Sequence, residues 1–216
     1  MNAQEIARFL HENPDFFIEH AELFADITVP HPQHGQAISL AERQLHALRE
    51  KIVALEDRLV RLIRFGEEND DISGKVHQLS VRLLAAADYL GIRENLFQTL
   101  LEDFAVPHVA LRVWNTSEEH GTPDFDPVSQ ELRNYAADLS QPWCGEPANM
   151  EIVDWFGEAA PHLRSVALVP LHRRDVCFGL LAMASEEAER FYSGMGTVYL
   201  TRIGELAAIA LVRELG

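Results

Sequence analysis

Cysteine is scarce in this chain of 216 residues, where Cys144 and Cys177 are the two thiols. Two cysteines are too few for a disulfide framework, and neither belongs to a Cys-x-x-Cys pair or to a zinc-type spacing. The sequence therefore excludes a disulfide-stapled scaffold and fits a reducing compartment.

Positive charge is also in short supply: 18 lysines and arginines stand against 34 aspartates and glutamates, giving a formal net charge of −16. A field of that sign repels phosphate backbones and anionic lipid. We therefore expect neither nucleic acid nor a membrane surface as a partner.

Long apolar runs are missing as well. The longest ones, such as residues 165–171, are far shorter than the ~20 residues that cross a bilayer. The N-terminus, MNAQEIARFLHENPDFF, has acidic residues where a signal peptide needs a basic region followed by an apolar one. We expect a cytoplasmic protein without a membrane span, and its 47% hydrophobic content is enough for a sizeable core.

Metal-ligating patterns are sparse. His31 and His34 have a three-residue separation that can suit a metal, but no second pair with a fitting spacing follows them. The sequence favours a polar loop at these histidines, and we expect neither a metal nor a cofactor.

The first residues predict a small helical hairpin over 1–37. Asn2 and Glu5 have the spacing of a capping box, and Asn13 followed by Pro14 is typical of the start of a second helix. Neither helix is long enough to be stable alone, so their phenylalanines are expected to pack elsewhere in the protomer or on a second chain.

A long coiled-coil helix is predicted over 38–91, because apolar residues recur there with a strict seven-residue period. We expect this seam to hold a homodimer together, and the alternative is a long helix packed on its own protomer. The predicted dimerisation residues, at positions a and d of the repeat, are Leu45, Leu48, Ile52, Leu55, Leu59 and Leu62.

The seam weakens beyond Leu62. Further along the register, Val76, Leu83 and Leu90 lie at d positions, whereas the a positions become small, and Ile72 and Leu79 add an apolar row at g. The stretch FGEENDDISG, residues 65–74, contains two glycines, each unfavourable in a helix by roughly 1 kcal/mol relative to alanine. The pattern predicts a rotated apolar face and a weak point or hinge.

From residue 92 to 216 helices and strands alternate, which predicts an α+β domain with an antiparallel sheet flanked by helices. VPHVALRVW is predicted as a half-buried strand, and SVALVPLHRRDVCFGLLAMAS as a central hairpin that turns at residues 173–175. The segment containing PWCGEP and EIVDWF is predicted to be irregular. A long amphipathic helix closes the chain.

The motifs SVALVPL, FGLLAMAS and RF before a terminal helix resemble the closing half of a GAF domain, a small-molecule-sensing fold related to PAS. NPDFF, VPHPQHGQAISLAERQLHALR, PWCG and RFYSGMGTVYLTRIGEL together resemble the bacterial family known as domain of unknown function 484. The resemblance implies a GAF-like domain behind a helical N-terminal region, and it implies no activity.

The motif of cyclic-nucleotide-binding GAF domains is absent, since Lys51 and Lys75 are the only lysines and both precede the domain. The best binding candidates lie between the short helix and the central hairpin, where aromatic and polar groups suit a partly apolar pocket. The alternative is that the aromatic residues simply cover the sheet. The candidates are Tyr135, Trp143, Cys144, Trp155, Phe156 and His162.

These observations favour a non-enzymatic regulatory or sensory module, a homodimer that binds a small molecule or a protein partner. A structural adaptor without a ligand is the first alternative. A cysteine-dependent redox enzyme similar to the GAF-type methionine sulfoxide reductases is the second. In that enzyme Cys144, in a turn-like, accessible setting, would be the attacking thiol and Cys177 its buried partner.

Overall fold

The computed structural model describes residues 2–26, 28–30, 37–114, 116 and 121–215. Residue contacts divide the chain into two compact units, Met1–Glu67 and Glu68–Gly216. The division falls within the long helix, because the last turns of this helix pack into the core of the second unit. The domain limits 37/38 and 91/92 stay a prediction. The histidines His31 and His34 lie outside the described residues.

The first unit begins with three short helices: α1 (Ala3–Glu12), α2 (Phe16–Glu19) and α3 (Ala21–Asp26). Asn2 caps α1 as the sequence predicts: its side chain accepts from the backbone N–H of Glu5, and the Glu5 carboxylate accepts from the backbone N–H of Asn2. The second predicted helix begins at Phe16 instead of Pro14 and is interrupted at His20. A short antiparallel pair follows, β1 (Thr28–Pro30) with β2 (Ala37–Ser39).

Helix α4 (Leu40–Ala85) is continuous over 46 residues. The predicted weak point at residues 65–74 is helical throughout, so the two glycines do not interrupt the helix. The helix ends at Ala85, whereas the sequence predicts a helix that continues to residue 91. Asp88 ends it by capping a new helix, since its side chain accepts from the backbone N–H of Gly91.

The second unit contains α5 (Tyr89–Gln98), which continues into a π-helical turn (Thr99–Asp103), and α6 (Gln130–Asp138). It also contains α7 (Met150–Asp154) and α8 (Val198–Leu215). Two 3-10 turns complete it, Pro123–Phe125 and Gly157–His162.

Four strands form the sheet of this unit: β3 (His108–Val113), β4 (Trp143–Gly145), β5 (Ser165–Arg173) and β6 (Val176–Ser185). Their order is β3-β6-β5-β4, and every neighbouring pair is antiparallel. The predicted hairpin is confirmed as the centre of the sheet. The short strand β4 is an edge strand that the sequence analysis treated as irregular.

Each face of the sheet is covered. The first face packs on the end of α4 and on α5 and α8, with Leu79, Leu96 and Leu211 fully buried. The second face packs on α6 and α7, through Leu132 and Ile152. The fold class predicted from the sequence is confirmed: an α+β arrangement in which helices flank an antiparallel sheet and a long helix precedes it.

Strand β3 differs from its prediction as a half-buried strand. Arg112 and Trp114, which alternate with the core residues Leu111 and Val113, are 9% and 5% exposed. The Trp114 indole N–H donates to the carbonyl of Cys177. Nη1 of Arg112 donates to the carbonyl of Leu111 at 2.9 Å, and the guanidinium lies 4.9 Å from the ring centre of Trp155. Polar groups of these side chains are therefore satisfied locally, which lets both faces of the strand be buried.

Candidate functional site

A cavity of about 380 Å³ lies on the second face of the sheet, where β4 and β5 meet α6 and α7. The sheet supplies its floor and the segment from β4 to α7 supplies its rim. The described residues that line it are Tyr135, Trp143, Pro147, Ala148, Asn149, Ile152, Val153, Val166 and Leu168.

The Trp143 indole forms a wall of this cavity because the next residue but one is a glycine. A Cβ atom placed on Gly145 would lie 2.7 Å from Cζ2 and 2.8 Å from Cη2 of Trp143. These separations are shorter than any ordinary carbon–carbon contact. Gly145 therefore provides the space in which the indole lies, and this explains the Trp-Cys-Gly sequence of β4.

Helix α7 is held over the cavity by a pair of hydrogen bonds to the start of α6. The Glu151 carboxylate accepts from the backbone N–H of Ser129 at 2.8 Å and from the Ser129 hydroxyl at 2.5 Å. Asn149 caps α7, since its Oδ1 accepts from the backbone N–H of Glu151 at 3.0 Å. These contacts fix Ile152 and Val153 against the cavity.

Tyr135 is the one titratable group among the described lining residues. Its side chain is 37% exposed, and burial raises the pKa of its hydroxyl. The hydroxyl therefore stays protonated and able to donate a hydrogen bond throughout the neutral range.

The structure brings two of the predicted binding residues, Tyr135 and Trp143, to the same cavity. Trp155 and Phe156 pack beside it against the core of the second face, as the alternative interpretation expects. His162 is exposed at the end of a 3-10 turn. A role for these residues in binding stays a prediction.

The expectation that Cys144 is accessible in a turn is wrong. Cys144 lies in β4 opposite Ala167 and is 7% exposed, with its side chain in the core of the first face. Cys177 is equally buried, in the core of the second face. Burial raises the pKa of both thiols. Two protonated thiols on opposite faces of a sheet are unsuited to attack and resolution.

Sequence reasoning missed most of the lining. Asn149, Ile152 and Val153 belong to a segment predicted to be irregular, and Val166 and Leu168 were interpreted only as strand core. A signal was present, since Asn149 followed two residues later by Glu151 is typical of a helix start. Five residues are too few for helical periodicity to be recognised.

The predicted dimerisation residues form an apolar row on α4 in the first unit, and each is at least half exposed. Their exposed fractions are 54% for Leu45, 56% for Leu48, 53% for Ile52, 52% for Leu55, 57% for Leu59 and 66% for Leu62. We call this row the ladder.

The comparisons with known proteins agree with the resemblance seen in the motifs. The model of the family described as protein of unknown function, DUF484, matches residues 1–213. The chain belongs to this family. The family resemblance predicted from the sequence is confirmed.

Curated relatives are similar over nearly the whole chain. The uncharacterized protein YigA of Escherichia coli (strain K12) is 26% identical, over 94% of this chain and 88% of its own length. YigA of Shigella flexneri is 27% identical over the same shares. Among solved structures, the GAF domain of the potassium sensor histidine kinase KdpD from Escherichia coli matches 65% of this chain and 93% of its own, with 13% identity and a TM-score of 0.36.

The described part of the chain contains neither a candidate membrane-spanning helix nor a candidate metal-binding cluster. No helix there has both the length and the apolar character required to traverse a bilayer. No group of three or more histidine, cysteine, aspartate or glutamate side chains in the same residues could hold a metal ion.

Proposed function

We propose that this DUF484 protein is a non-enzymatic regulatory or sensory module, a homodimer joined through helix α4. Its GAF-like domain binds a small molecule in the cavity between α6, α7 and the β4–β5 edge. The observation that carries the proposal is the ladder: six leucine and isoleucine side chains in a strict heptad repeat, each at least half exposed in the single chain.

An exposed apolar row of this length favours a partner helix. Large contiguous apolar patches are rare on the surfaces of monomers and mark interaction sites. The seven-residue period matches the seam of a coiled coil, in which each a or d side chain inserts between four residues of the facing helix. A second copy of the chain supplies such a facing helix in the same register.

The same helix carries apolar residues into the second unit. There Val76, Leu79 and Leu83 of α4 are buried in the core that α5 and α8 share. Arg82 pairs with Asp103 at 2.7 Å, and Arg213 of α8 donates to the carbonyl of Ala86 at 2.7 Å. The end of α4 is thus tied to the GAF-like domain, which supports a regulatory rather than a purely connecting role for the helix.

A structural adaptor is the second candidate, and the first unit gives a specific reason to consider it. Its helices α1–α3 contain no buried residue among those whose side chains are described, and several of their large apolar side chains are exposed. These are Ile6, Phe9, Phe17, Ile18 and Leu23. An adaptor would use this surface to recruit a protein and would leave the cavity without a ligand.

The first experiment measures the light-scattering mass of the full chain and of two variants. Leu55→Asp places a charge in the seam, whereas Val60→Asp makes a comparable change at the exposed b position of the same helix. We expect a wild-type mass of twice 24.4 kDa, a monomer for Leu55→Asp, and a dimer for Val60→Asp. A monomeric wild type, or dissociation of both variants alike, would overturn dimerisation through the ladder.

The choice between module and adaptor is tested on the same preparations by thermal unfolding with a library of small metabolites. A ligand that binds the native state at 100 times its dissociation constant stabilises it by about 2.7 kcal/mol. A shift that survives Leu55→Asp but is lost on Ala148→Leu, at the rim of the cavity, supports the module. A dimer that responds to no compound supports the adaptor.

A further inference from the structure

We infer that the cavity lined by Tyr135 and Trp143 takes an uncharged, mainly apolar ring compound and excludes nucleotides and other anions. The inference rests on the proposed function, because it names the chemical class of the ligand for the same site.

The lining contains nothing that could neutralise an anion. None of its nine described residues is a lysine, arginine or histidine. The segment from α6 to α7 has one cation, Arg133, which precedes Tyr135 by two residues and so lies about 200° away around the helix. A phosphate or carboxylate in this cavity would lose its hydration without gaining a counter-ion.

A cation is disfavoured for a similar reason. The nearby carboxylate of Glu151 is already held by two hydrogen bonds from Ser129, at 2.8 and 2.5 Å. No aspartate or glutamate belongs to the described lining. The net charge of −16 attracts cations to the surface as a whole, but it supplies no partner at the site.

The walls of the cavity are suited to a flat apolar ligand. Ile152, Val166 and Leu168 are almost fully buried beneath the cavity, and the Trp143 indole stands along one side in the space left by Gly145. Aromatic rings stack on such a surface in offset or edge-to-face arrangements. A volume of about 380 Å³ is within the range of small-molecule sites, roughly 300–1,000 Å³.

Two polar groups at the rim of the cavity indicate which polar substituents the ligand has. Oδ1 of Asn149 is used to cap α7, so the group that Asn149 offers to the cavity is its amide N–H. The Tyr135 hydroxyl is protonated, so it can both donate and accept a hydrogen bond. A matching ligand therefore carries one or two uncharged polar groups, at least one of them an acceptor such as a carbonyl, ether or hydroxyl oxygen.

The test uses the full-length protein labelled with 5-fluorotryptophan, which has three indole positions, Trp114, Trp143 and Trp155. Single Trp→Phe variants assign the three fluorine NMR signals. Three probes with one ring system are titrated: 2-naphthylmethanol, 2-naphthoate and 2-naphthylmethylammonium. We expect the neutral alcohol to move the Trp143 signal saturably, and each charged analogue to bind at least about ten-fold more weakly.

Two substitutions at exposed alanines localise the response. Ala148→Leu fills the rim of the cavity, and Ala137→Leu makes the same change on α6 away from the lining. We expect at least about ten-fold weaker binding of the alcohol to Ala148→Leu and unchanged binding to Ala137→Leu.

The outcomes separate this inference from the proposed function. Binding of 2-naphthoate or of the ammonium compound at least as tight as that of the alcohol overturns the inference and leaves a ligand-binding module standing. No saturable Trp143 response to any probe, or an equal loss in both alanine variants, also overturns it. None of these results bears on the proposed dimer, which the light-scattering mass tests separately.

Discussion

The two parts of helix α4 carry similar apolar residues and bury them differently. In the first unit, every described side chain of α4 from residue 43 to residue 67 is exposed, including the whole ladder. In the second unit, Val76, Leu79 and Leu83 are 8%, 0% and 2% exposed. One continuous helix thus has an apolar face that is exposed in the first unit and buried in the second.

This difference shows what heptad periodicity does and does not specify. The seven-residue repeat puts apolar groups on one face of a helix whatever covers that face. In the second unit the covering elements, α5 and α8, belong to the same chain. In the first unit the described residues provide no such cover, and the proposed dimer provides it from a second chain.

The largest effect that tests this comparison is expected from Leu79→Ala. Leu79 is fully buried, so its truncation should lower the free energy of unfolding by about 3 kcal/mol and the melting temperature by roughly 10 °C at every protein concentration. Leu55→Ala, in the ladder, should instead weaken the dimer and lower the melting temperature most in dilute samples. Calorimetry over a hundred-fold concentration range measures both.

Leu84→Ala is the matched control, because Leu84 lies on the same helix as Leu79 and is 76% exposed. We expect it to change the free energy of unfolding by no more than about 0.5 kcal/mol. If Leu55→Ala behaved like Leu84→Ala, the ladder would be an ordinary solvated face and the two parts of α4 would not differ in kind.

Glycine-to-alanine substitutions should change the free energy of unfolding by a smaller amount. The change should be destabilising where the glycine packs against another element and stabilising where it has no neighbour. A Cβ atom on Gly204 of α8 would overlap Cγ1 of Val169 in β5, so Gly204→Ala should destabilise by roughly 1–3 kcal/mol. Gly66 and Gly74 of α4 have nothing within 4 Å of such an atom. Alanine at either position should stabilise the helix by about 1 kcal/mol.

Chemical denaturation of the three glycine variants measures these changes. Gly66 occupies an a position of the seam, so its gain should include a change in dimer dissociation, whereas the gain at Gly74 should not depend on concentration. Destabilisation by Gly74→Ala would show that α4 needs flexibility there, which would restore the predicted hinge.

The sequence predicted those elements in which periodicity extends over several turns or a whole hairpin. The central hairpin β5–β6 was found because two long apolar runs flank a polar turn, and α8 because Leu200, Ile203, Ala207 and Ala210 share one face. The end of α4 at Ala85 was missed. The apolar d position at Leu90 continues the heptad pattern beyond the point at which Asp88 starts a new helix.

Short elements and tertiary exposure could not be predicted in this way. Strand β4 has three residues, too few to show alternation, so the burial of Cys144 depends on its pairing with β5, which no local pattern encodes. Two of the nine described lining residues of the cavity, Tyr135 and Trp143, were predicted, as aromatic residues in a polar segment. Val166 and Leu168 line it only through the packing of the sheet against the segment from β4 to α7, which no local pattern encodes.

The smallest expected effect tests whether the two α4 helices of the proposed dimer pair in parallel or in antiparallel orientation. In a parallel dimer, Lys51 at position g lies opposite Glu56 at position e of the second chain, and Arg58 lies opposite Ile63. The attractive pair between Lys51 and Glu56 therefore forms twice, once on each side of the seam.

Lys51→Glu or Glu56→Lys alone should weaken such a dimer about five-fold, because two exposed pairs together contribute roughly 1 kcal/mol. The double variant should recover most of the loss. Sedimentation equilibrium at low and high salt measures the dissociation constants. If the effects of the single and double changes simply add, the helices pair in antiparallel orientation, in which these two positions do not meet.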